Sequence, residues 1–294
     1  MGEKQEREAF DRRHASEVVE ITVLTGTTVG GAGKAGDAVL WTPSADVIAH
    51  VNQDGAVVTG DGRLSWLATD EQRATWIHDL QAHTQYVVRV RRTDPDPAEY
   101  ARYGQPVPDL SGHFALDEVV RRDVHVPALD ERLAAYLAPV VVTSDLGDFT
   151  LERAYGHFSG EIDWAGRSVH VLLDVDDSAA EGAETCEAAL ARLTSYAADA
   201  AGTDARWRAY AATTLVDLAN DWQGQAVEDE GEDEGEVEEV TPESFVRRIR
   251  LSELAITSDG AATPYYDDGD LFLGHVVLVE VEPDGSMTDA YIAG

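Results

Sequence analysis

Three Asp-Gly pairs, at 259–260, 268–269 and 284–285, stand between short apolar runs in the last part of the chain. A two-residue turn of this kind takes positive φ at its central residues, and its twist suits two antiparallel strands. The flanking runs, 253–257, 263–266, 271–281 and 287–292, are therefore read as hairpin-linked strands. Upstream, 149–155, 158–164 and 167–175 are joined by Gly156-His157 and Ala165-Gly166, which predicts three further antiparallel strands. Helical patterns occupy 179–200 and 204–222, with Gly202-Thr203 as stop and restart. A third helix follows Thr241-Pro242-Glu243, where a capping hydroxyl, a first-turn proline and a negative charge coincide, and Phe245 and Ile249 face inward. The order βββ-αα-α-ββββ predicts an α+β domain over 140–294, an antiparallel sheet with helices packed on it.

The chain ahead of it reads as a small, mostly β domain over 17–128, making 294 residues in two domains. Strands are expected at 18–24, 38–41, 46–51 and 86–92. One short helix is expected after the N-cap Thr69, with Trp76, Ile77 and Leu80 as its inward face. Residues 1–16 are polar and aperiodic and read as a flexible arm. The segment 94–108 holds four prolines and reads as a long loop. A linker helix over 129–139, with Leu129, Leu133, Tyr136 and Leu137 on one face, ends at Pro139. Residues 228–239 carry nine acids and read as a mobile acidic loop inside the second domain.

Charge narrows the function classes. The net charge is −34, with 36 acids against 9 basic residues in 129–294, so a phosphate backbone would be repelled and nucleic acid is not an expected partner. A basic protein is the better electrostatic match. No apolar run is long enough for a membrane span and no secretory signal is evident, so a cytoplasmic protein is expected. The lone Cys186, in an alanine-rich helix, reads as core. Trp164, Trp207 and Trp222 also read as core.

No cofactor is expected. Gly31, Gly33 and Gly36 have dinucleotide-fingerprint spacing, but the residues after Gly36 read as a strand ended by Pro43, and the pyrophosphate needs a helix N-terminus there. Asp267, Asp268 and Asp270, with His275 beyond, form the densest set of potential ligands outside the acidic loop, though without the spacing of a calcium loop or a zinc pair. They are the candidate ligand- or partner-binding residues. No catalytic residue or metal site is expected, since nucleophile elbows and HExxH motifs are missing.

The strings FTLERAYGHFSGEIDWAGRSVHVLLDV, LANDW, TPESFVRRIRLSELAITSDG, YYDDGDLFLGHVVLVEV and the terminal AYIAG resemble the bacterial domain of unknown function family 2262 over 140–294. The first domain resembles the partner module often fused ahead of it. The resemblance carries over no catalytic or binding residue. Charge and the missing catalytic constellations together point to a non-catalytic binding protein whose acidic C-terminal domain engages a basic protein, as inhibitors of basic nucleases and toxins do. The alternative is a small enzyme or a ligand- or cation-binding domain built on Asp268, Asp270 and His275.

Overall fold

The computed structural model describes residues 2–27, 29–34, 36–178, 183–230 and 239–294. The chain forms two compact units, Met1–Ala138 and Pro139–Gly294. Both are mixed α and β, each built around a sheet. Among the described residues no helix is long and apolar enough to cross a membrane.

The first unit holds α1 (Glu3–Asp11), β1 (Val19–Thr25), β2 (Gly31–Gly33), β3 (Thr42–Val51), β4 (Val57–Ser65), α2 (Asp70–Ala74), β5 (Gln85–Arg92), α3 (Pro97–Arg102), β6 (His113–Arg121) and α4 (Pro127–Leu137). Its sheet runs β1-β5-β6-β4-β3-β2, and an extra β1–β3 pairing closes five of these strands into a barrel. With α2 between β4 and β5, this is the Greek-key arrangement of OB-type barrels. Alternation along the strands turns Ile21, Val23, Val47, Leu64, Val88 and Phe114 into the interior.

Five expectations for this unit are corrected. Residues 3–11 are helical and fixed rather than a flexible arm: Phe10 is buried, and the Glu6 carboxylate accepts the amides of Val39 (2.8 Å) and Leu40 (2.9 Å). One aromatic and one buried acid anchor this helix, so no apolar periodicity announces it. Nor is α4 a linker. Its Leu129 is fully buried with Leu24, Ile48 and Ala49 on the outside of the barrel, and Pro127 starts the helix at its first turn. The strand expected at 38–41 begins instead at Thr42 and runs through Pro43. Finally, α2 stops at Ala74 although Thr69 caps it as expected, because Trp76 turns left-handed (φ 47°) and leaves Trp76 and Ile77 exposed. The proline-rich loop also contains α3, which starts on Pro97 at its N-terminus, where a missing amide costs nothing.

The second unit holds β7 (Val141–Ser144), β8 (Gly147–Glu152), β9 (His157–Asp163), β10 (Ser168–Asp174), α5 (Glu187–Ala197), α6 (Ala200–Glu230), α7 (Pro242–Arg248), β11 (Arg250–Ile256), β12 (Ala262–Asp267), β13 (Val276–Val281) and β14 (Met287–Ala293). The eight strands lie in reverse sequence order, β14 through β7. Hairpins make every pairing antiparallel except β10–β11, which is parallel because the three helices intervene and return the chain in the same direction. The break between the first two helices falls at Asp199, not at Gly202-Thr203. Its carboxylate accepts the Gly202 amide (3.1 Å), so the glycine and threonine lie inside α6. Thr241 and Ser244 form the capping box of α7, and Phe245 and Ile249 are buried. Asn220 pairs with both the amide (2.8 Å) and the carbonyl (3.0 Å) of Val240, holding the start of α7 against α6. Most of the acidic stretch 228–239 lies outside the described residues; its first three residues continue α6.

Candidate functional site

The structure gives Asp267, Asp268, Asp270 and His275 different local partners. Asp268 is buried, and its carboxylate organises the loop from 268 to 275 by accepting the amides of Asp270 (3.3 Å), Phe272 (2.6 Å) and Gly274 (3.1 Å). The expected hairpin at Asp268-Gly269 is therefore an eight-residue loop, and β13 starts only at Val276. Gly269 is required there for a different reason. Its φ is +59°, and a Cβ would lie 2.6 Å from the Arg248 carbonyl oxygen. Leu271 and Phe272 then plug the core beneath Trp222. His275 bonds its Nδ1 to the Phe272 carbonyl oxygen (2.8 Å) and meets Trp222 edge-on. Asp267 stands at the end of β12, opposite Arg250, while Asp270 takes a left-handed turn position (φ 62°). Among the described residues no group of three or more His, Cys, Asp or Glu side chains is placed to hold a metal ion.

The arrangement with most capacity to recognise something is the sheet itself. Phe158, Ile162, Val169, Val171, Leu254, Ile256, Val277 and Val279 face the core, where they meet Leu193 of α5, Trp207 and Leu215 of α6 and Phe245 of α7. Alternation sends their neighbours to the opposite face, away from the described helices that pack on this core. The register lines those residues up in a row across six strands: Glu161, His170, Glu253, Tyr265, Leu278 and Tyr291. Directly opposed side chains in such rows sit about 5 Å apart. The next row places Glu280 beside Asp289.

Carboxylates and phenols on this face sense one another. Burial raises the Tyr265 phenol pKa above its ordinary value, and Glu253 and Tyr291 push the same way. Tyr291 is raised too, by burial and by the negative charges of Glu280 and Asp289. Both tyrosines stay protonated donors at neutral pH. The face can therefore present a sheet of negative charge studded with two aromatic rings. Sequence reasoning places these residues on strands without singling them out. Their signal is the polar half of each alternating strand, with Glu161, Glu253 and Glu280 each next to an inward-facing residue, Ile162, Leu254 and Val279.

Residues 143–292 match the model of a family described as an uncharacterized protein conserved in bacteria, DUF2262. The chain belongs to the DUF2262 family. Residues 6–136 match a second domain of unknown function, DUF7021, so the expected pairing with an N-terminal partner module holds. No curated protein and no solved structure matches the chain. The DUF2262 match runs from β7 into β14 and thus takes in the whole eight-stranded sheet, its three helices, the uncovered face and the Asp268 loop.

Proposed function

We propose that this DUF2262 protein is a non-catalytic binding protein whose acidic C-terminal unit engages a basic protein through the uncovered face of its sheet. The observation that carries this reading is the row from Glu161 to Tyr291, which sets the carboxylates Glu161 and Glu253 on either side of His170 and continues through Tyr265, the buried Leu278 and Tyr291, on the face opposite the described helices. Tyrosine supplies contact area at low entropic cost and is enriched at the centres of interfaces. Carboxylates around it steer a basic partner and fix its register. The net charge of −34 adds a long-range field of the same sign.

The test is capture from a lysate of the source bacterium at low salt, with bound proteins identified and the basic one purified for kinetics. Glu161→Lys with Glu253→Lys, and separately Tyr265→Ala, should abolish capture. Asp217→Lys with Asp221→Lys, an equal change of charge on exposed α6 positions, should not. Affinity should fall steeply as salt takes the Debye length from about 10 Å toward about 3 Å. Equal losses from the face variants and the α6 controls, or capture that survives in the face variants, would reject this surface.

A further inference from the structure

Lysine is absent from the second unit and arginine occurs there at eight positions, three of which line one cavity. The cavity, about 170 Å³, is bordered by Trp164, Arg167, Ala201, Asp204, Arg208 and Arg250. It lies where the β9–β10 turn, the first turns of α6 and the start of β11 meet. The turn is a tight one: Trp164 and Arg167 exchange backbone hydrogen bonds (2.7 and 3.3 Å) around Ala165 and Gly166, both at positive φ. Trp164 is thereby fixed, 2% exposed and stacked on Trp207 at 5.9 Å.

Two buried donors on residues that border this cavity lack an acceptor among the described residues. One is the indole N–H of Trp164, and the other is Nε of Arg208. Burying an N–H without an acceptor costs about 1–3 kcal/mol, so such groups mark a place where a partner is expected. Charge identifies that partner's sign. Asp204 is already engaged, accepting from Arg208 (2.7 Å) and from the Tyr266 hydroxyl (3.2 Å). Arg167 and Arg250 have no carboxylate within ion-pair distance among the described residues, so neither charge is already matched. Ala201 adds the positive end of the α6 dipole.

We propose that this cavity binds a phosphate-class oxyanion, free or as the terminal group of a larger molecule. Arg167, Arg208 and Arg250 supply charge, and the Trp164 indole supplies a directed donor. Guanidinium forks match the oxygens of such an anion, whereas a cation would meet like charge. The site is independent of the uncovered sheet face and stands whether or not that face binds a protein.

Calorimetric titration of the full chain with inorganic phosphate, and in parallel with glycerol phosphate, tests it. Saturable binding of one equivalent is expected. Arg167→Ala with Arg250→Ala should weaken it at least tenfold, and Trp164→Phe, which keeps the stacked ring and removes the N–H, several-fold. Arg247→Ala, which removes the same charge from an exposed position on α7 away from the cavity, should leave binding unchanged. Tighter binding of the monoester would identify a terminal phosphate group, and equal binding the free anion. No saturable signal at millimolar concentrations of either probe, or equal weakening by Arg247→Ala, would overturn the proposal. If Trp164→Phe fails to fold, titration of the arginine variants still decides between these outcomes.

Discussion

Replacing Asp268 by alanine separates a structural carboxylate from a functional one. The native side chain accepts three loop amides, two of them at 2.6 and 3.1 Å through a single oxygen. Hydrogen bonds to a charged group contribute about 1.5–3 kcal/mol each, and an amide left buried and unpaired costs about 1–3 kcal/mol. The Phe272 amide is in that position, since Phe272 is fully buried. Counting the two short bonds fully and the long one as negligible gives a loss of about 3–6 kcal/mol. For a unit of this size each kcal/mol moves the midpoint by about 2–4 °C, so a drop on the order of 10 °C is expected. Asp268→Asn retains one oxygen toward Phe272 and Gly274 and should cost about 1 kcal/mol. Thermal unfolding followed by circular dichroism measures both. A midpoint within about 2 °C of the parent for Asp268→Ala would refute this account. Asp268 would then be a spare buried acid, open again to a ligand-binding role.

Two further outcomes follow from titratable groups. The Cys186 thiol is buried and its pKa is pushed up to about 11 by that burial, with Asp176 and Glu187 adding to the effect. It should ignore a thiol reagent at pH 8 in the native protein and react fully in denaturant; rapid native reaction would contradict the packing. In the first unit, burial lowers the pKa values of His14, His50 and His78 below the ordinary 6.5. Between the lowered values and 6.5 the unfolded chain binds protons that the native barrel does not, so stability rises with pH across that window. The barrel's thermal midpoint should therefore fall as pH drops below about 6.5, and a flat profile from pH 8 to pH 5 would count against buried neutral histidines.

Local chemistry makes the second unit legible. Turn residues locate its hairpins, and the hydroxyl, proline and acid at Thr241-Pro242-Glu243 locate α7 to the residue. What escapes is set by tertiary contacts. Gly202 reads as a helix stop, but the adjacent Asp199 carboxylate caps α6 one turn earlier. Asp268-Gly269 reads as a hairpin, yet the pair serves a buried acceptor and a close approach to the Arg248 carbonyl. In α1, one phenylalanine and a glutamate that reaches two amides across 33 residues of sequence replace the periodic apolar face that a reader looks for. The candidate surfaces are hidden for a similar reason. Arg167, Arg208 and Arg250 are scattered in sequence and meet only through the fold.

The single parallel pairing in the eight-stranded sheet also shapes how this unit reaches its native state. β7 to β10 and β11 to β14 are two four-stranded meanders, each closed by local connections of at most eight residues. Only the β10–β11 seam, where Val171 lies opposite Leu254, joins partners separated by the whole helical crossover. Local hairpins form early and non-local pairings late, because the chain entropy of a long closure must be lost before its contacts form. The seam is thus the slow joint of an otherwise local sheet. Weakening it slows folding to the extent that it is already formed in the transition state, whereas loosening a late-forming outer hairpin mainly speeds unfolding.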